Sequence, residues 1–160
     1  MAATIPTNGM GLDAGLDITG GNITFKTAAK GVNLGVTSGA SSNLLDDYEE
    51  GSWTPSNSNV TLSVTSALYR KVGTLCHVQA YVTFASNSNS SGATIEGLPF
   101  TAGAGFDYLS GRAGGESNHY VIQVNSGQTA GDIYKEDDSG ITNVNLSGDY
   151  VLFSGTYITA

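Results

Sequence analysis

Cysteine occurs once in this 160-residue chain, at Cys76, so no internal disulfide can form and the disulfide-stapled scaffolds of small secreted proteins are excluded. Basic residues are nearly as scarce. Six Lys and Arg stand against 14 Asp and Glu, and a formal net charge of −8 leaves no clustered cations with which to hold a nucleic acid or an anionic membrane. No apolar run approaches the roughly 18 residues of a membrane helix, and Met1-Ala2-Ala3-Thr4 opens neither a basic region nor a signal-peptide core. The expectation is a protein made and kept in a soluble, reducing compartment. Charged residues make up only 12% of the chain, so the Glu/Lys/Leu stock of surface helices is missing too.

What is present in quantity is Gly, Ser, Thr and Asn, together 69 of the 160 residues. Leu, Ile, Val and Phe supply about 22%, enough for a thin core only. The texture divides the chain. Residues 1–45 hold short apolar pairs separated by Gly and Asn, among them the Gly11–Asp17 echo GLDAGLD, whose two imperfect copies fall short of a calcium-binding β-roll array. They predict an extended N-terminal arm, with a β domain over 46–160. From Trp53 onward, period-two alternation predicts strands at Val60–Thr65, Leu68–Val72, Thr74–Phe84, Ala93–Glu96, Tyr108–Ser110, Tyr120–Asn125, Asp132–Lys135, Ile141–Leu146 and Tyr150–Ile158. Turn chemistry separates them, at Asn87–Gly92, Gly111–Glu116, Asn125–Gly127 and Asp138–Gly140. The fold class this implies is all-β, an antiparallel β-sandwich of jelly-roll kind. The one helical expectation is a turn near Ser42–Tyr48, with Ser42 or Asn43 as cap.

Catalytic patterns are lacking. There is no phosphate-cradling glycine loop and no Gly-x-Ser-x-Gly elbow, and Cys76 and His77 alternate to opposite faces of their strand, so they cannot share a metal. His77 and His119 are read as exposed polar residues. Glu96, Asp107, Glu116, Asp132 and Asp149 could supply a glycosidase pair only if the fold brought two together across a groove. No enzyme, metal or cofactor is expected. The densest charge lies at Asp46, Asp47, Tyr48, Glu49 and Glu50, where four carboxylates need either a cation such as calcium or basic partners. The favoured arrangement has Asp46 and Asp47 capping a turn while Glu49 and Glu50 pair with Arg70, Lys71 or Arg112 of the same or another subunit.

The run Leu44-Leu45-Asp46-Asp47-Tyr48-Glu49-Glu50-Gly51-Ser52-Trp53-Thr54-Pro55 closely resembles a segment of small structural and fibre proteins of tailed bacteriophages. Tyr69–Gly73, Thr74–Phe84, Ser91–Ala102 and Phe153–Ile158 resemble the same family in the same order, so the likeness covers roughly Leu44 to Ala160. It implies a non-enzymatic virion surface module, typically trimeric, made in the host bacterial cytoplasm and attached through an N-terminal segment to the major capsid protein or another virion protein. About 45 residues before the acidic motif suit an arm rather than a fibre shaft, which directs the expectation to a capsid decoration protein. A short tail fibre tip binding a host surface glycan is the alternative. Trp53, Tyr69, Phe100, Phe106, Tyr108 and Tyr157 are the expected buried anchors, in the core or at a subunit interface.

Overall fold

The computed structural model describes residues 31–33, 44–45, 47–114 and 119–160, all within the unit Gly31–Ala160. The expected arm, apart from residues 31–33 and 44–45, lies outside the described residues, as do the Gly11–Asp17 echo, Ser42, Asn43, Asp46 and Glu116. Short strands β1 (Val32–Asn33) and β2 (Leu44–Leu45) pair antiparallel as a separate ribbon. The domain itself is all-β. Eight strands form one antiparallel sheet: β3 (Tyr48–Ser52), β4 (Leu62–Val72), β5 (Leu75–Phe84), β6 (Thr94–Glu96), β7 (Asp107–Ala113), β8 (His119–Val124), β9 (Ala130–Lys135) and β10 (Tyr150–Ile158).

The spatial order is β3-β4-β5-β10-β7-β8-β9-β6. The sheet curls into a half-barrel. Four residues beyond β3, Ser56 exchanges backbone hydrogen bonds of 3.0 and 2.8 Å with Glu96 of β6, so the chain leaving one edge strand meets the strand at the other edge. The concave face holds the core. On β5 the alternation is nearly complete, with Cys76, Val78, Ala80, Val82 and Phe84 buried and Leu75 and Gln79 exposed, because one side of the pleat is dry and the other wet. Leu109, Ile122, Ile133, Val151, Phe153 and Tyr157 complete the same apolar layer from β7, β8, β9 and β10, and Trp53 seals it edge-on against Phe153 at 6.2 Å.

Several expectations are corrected. The piece Val60–Thr65, from Leu62 onward, and the piece Leu68–Val72 belong to one strand, β4, whose register shifts between Val64 and Ser66, so that Thr65 is an extra residue and the alternation changes phase there. Gly111 is not a turn residue. It pairs with Phe153 on one side and Tyr120 on the other, in the middle of a β7 longer than Tyr108–Ser110. In place of a strand at Ile141–Leu146 there is a 3-10 turn, Asn143–Leu146. The helical turn expected near Ser42–Tyr48 is replaced, at its described residues, by extended backbone at Leu44–Leu45 and Tyr48.

Candidate functional site

The acidic motif is built as the edge strand β3, and its register on β4 decides where each charge goes. Glu49 faces Lys71 and Glu50 faces Arg70. Arg70 Nε lies 3.6 Å from Glu50 Oε2, with both side chains more than half exposed, while the Lys71 ammonium donates to the Asp47 carboxylate. Asp47 therefore neutralises a buried lysine instead of capping a turn. Within the chain the Arg112 guanidinium donates to Tyr150 Oη at 3.0 Å instead. Tyr48 donates to Glu50 at 2.8 Å, and that hydrogen bond to a carboxylate is the main cause of a phenol pKa above the ordinary value. Among the described residues no three His, Cys, Asp or Glu side chains gather as a metal site.

Behind these pairs the motif is packed by aromatics. Gly51 lies opposite Tyr69, and a β-carbon there would come within 3.1 Å of the Tyr69 ring, so the glycine lets that ring lie over β3. Tyr69 meets Phe100 edge-on at 5.4 Å, and the Lys71 ammonium stands 5.3 Å from the same Phe100 ring, within cation–π range. Tyr157 is fully buried and donates to the Phe100 carbonyl at 3.0 Å. Asp47, Tyr69, Lys71 and Phe100 thus come together, with Gly51 and Tyr157 joining them. Trp53 and Tyr157 are core residues, whereas Phe106 and Tyr108, also expected to be buried, are 62% and 60% exposed in the chain.

Residues paired directly across strands share a face, which arranges the convex side in rows. One row runs Tyr48, Val72, Leu75, Ile158; the next runs Glu50, Arg70, His77, Thr156, with His77 Nδ1 3.2 Å from Thr156 Oγ1. Farther along, Gln79, Ser154 and Ser110 floor an open groove of about 450 Å³, walled by Tyr81, Leu152, Arg112 and His119. The groove exists because small hydroxyl side chains occupy the floor positions of two adjacent strands. Its wall is ordered: Tyr81 packs edge-on to Tyr150 at 5.4 Å, and Tyr150 holds the Arg112 guanidinium. Sequence reasoning missed this groove, because only the register of β10 against β5 and β7 brings Tyr81, Arg112 and His119 together.

In comparisons with known proteins, the chain matches no family model and no curated protein.

Proposed function

We propose that this is a non-enzymatic structural protein of a tailed-bacteriophage virion, a capsid decoration protein whose N-terminal arm binds the shell and whose β knob faces solvent as a homo-oligomer, on resemblance a trimer. The observation that carries this reading is the construction of the acidic motif. Two of its described carboxylates, Asp47 and Glu50, are engaged by Lys71 and Arg70 of the same chain, and its glycine and tryptophan fit the Tyr69 ring and the core, so the motif serves to shape and close a knob. The sandwich form of the resembling family and the anchoring role of residues 1–45 are parts of the same proposal. Counting copies per particle tests it: hundreds of copies are expected, with particles stripped of the protein losing resistance to heat, and a count of a dozen or fewer overturns it.

The groove favours a second reading, a short fibre tip or host-attachment protein. An aromatic wall, a guanidinium and a floor of hydroxyl and amide groups are the groups that bind a sugar through its ring face and its hydroxyls. The isolated protein should then bind host polysaccharide, and Arg112→Ala should weaken binding at least tenfold while leaving the melting temperature unchanged.

A further inference from the structure

The convex face carries an apolar row that the fold does not use. Tyr48, Val72, Leu75 and Ile158 are successive cross-strand partners on β3, β4, β5 and β10, and they are 58%, 46%, 52% and 40% exposed. Past Ile158, the Asp107 carboxylate accepts the Ile158 N–H at 2.9 Å, and Asp107's chain neighbour Phe106 is itself 62% exposed. At the usual interstrand spacing, the four cross-strand positions make a stripe about 15 Å long. Single exposed apolar residues are ordinary, but a contiguous stripe on the wet face of a sheet is a contact surface.

We propose that this stripe is the surface through which copies of the chain pack against one another, an inference that rests on the homo-oligomer reading above. Charge selects the partner. The chain carries a net charge of −8, so two copies repel over most approaches, yet the row bordering the stripe holds one carboxylate, Glu50, and one guanidinium, Arg70, beside each other and cancelling. A basic partner would be drawn to the acidic tip Glu136-Asp137-Asp138 instead of to this window, where beyond the Glu50–Arg70 pair stands one carboxylate, Asp107, already accepting the Ile158 N–H. For a like-charged second copy the window is the approach of least repulsion. The β3 edge offers copies no easier route, because the strand is short and carries Glu49 and Glu50. An interface of ordinary size covers about 800 Å² on each partner, so the stripe would form its apolar centre and the Glu50–Arg70–His77–Thr156 row its polar rim.

Sedimentation of the full chain and of its Leu75→Glu, Leu75→Gln and Leu75→Met variants tests this. Leu75 is half-exposed, so all should keep the wild-type melting profile of the isolated fold. The wild type and L75M should associate, while L75Q weakens association at least tenfold and L75E more. Association undiminished in L75E overturns the stripe as the contact and leaves the homo-oligomer reading standing. A wild type that stays monomeric overturns both. Loss of particle binding by L75E from a monomeric wild type assigns the face to a shell protein and also overturns the proposal.

Discussion

Gly97 shows how one atom decides a position in this fold. Its φ of +78° lies in the left-handed region, and a β-carbon there would stand 2.7 Å from the Thr54 carbonyl oxygen, a backbone atom that cannot swing away. Gly97→Ala is therefore expected to cost about 2–4 kcal/mol in urea unfolding, from the strained backbone and the clash together; a loss below about 0.5 kcal/mol would show that the approach relaxes. A second prediction concerns protons. Burial pushes the Cys76 thiol and the Tyr157 phenol above their ordinary values of 9.0 and 10.0. Groups held protonated by folding contribute stability that is fully present below those ordinary values and is lost as pH rises above them. The urea midpoint should thus fall from about pH 9 upward, and Tyr157→Phe, though weaker at neutral pH for want of its bond to Phe100, should fall less steeply above about pH 10. The buried fate of Cys76 and Tyr157 was legible in the sequence from alternation, because each sits on the dry side of a strand with regular neighbours. Phe106 and Tyr108 stand exposed in the chain, Tyr108 because the register of β7 puts it on the wet face. Composition marks an aromatic as an anchor without showing which face it takes.

At the scale of elements, β5 and β10 could be read almost to the residue, since a strand with one wet and one dry face writes its period into the sequence. The bulge at Thr65 and the interior Gly111 erased that period locally, which split β4 and shortened β7 in the reading. The larger omission was the polar centre that ties the loops. Asn143 is completely buried; its Oδ1 accepts from Asn57 Nδ2 at 2.9 Å, and its own Nδ2 donates to Asn89 Oδ1 at 3.1 Å and to the Ser91 and Gly92 carbonyls at 3.3 Å. Asn57 in turn donates to the Thr94 carbonyl and accepts the Asn59 and Val60 N–H groups. One amide thereby fastens the loop after β3, the Asn87–Gly92 segment and the 3-10 turn. Asn-rich stretches look like exposed turns in sequence, and a side chain that satisfies four partners inside the protein is indistinguishable there from a solvated one. Replacing Asn143 with Leu removes a hydrogen bond from each of those four partners inside the protein and is expected to cost about 2–4 kcal/mol, measured as a shift in urea midpoint at constant slope. An equal cost for Ser90→Leu, at an exposed position of the same Asn87–Gly92 segment, would refute the claim that the network matters.

The molecule as a whole combines a charge of −8 with an apolar stripe bordered by charges that cancel, and those two features pull association in opposite directions. Like-charge repulsion between copies acts over distances comparable to the Debye length, about 10 Å at 0.1 M salt and about 30 Å at 0.01 M. Apolar contact at the stripe is short-ranged and is not screened. Raising sodium chloride from about 0.01 to 0.3 M should accordingly strengthen association of the full chain, because it removes the repulsion and leaves the contact. Sulfate at equal ionic strength should strengthen it further, by favouring apolar burial. An assembly held by ion pairs between copies behaves in the opposite way, dissociating as salt rises. Sedimentation across a salt series separates the two, and Leu75→Glu sharpens the separation. It adds a charge inside the stripe, so the variant should remain weaker than the wild type even where salt has screened the net charge. If salt instead dissolves the wild-type assembly, the copies meet through their charged rows, and Glu50 and Arg70 become partners across the interface.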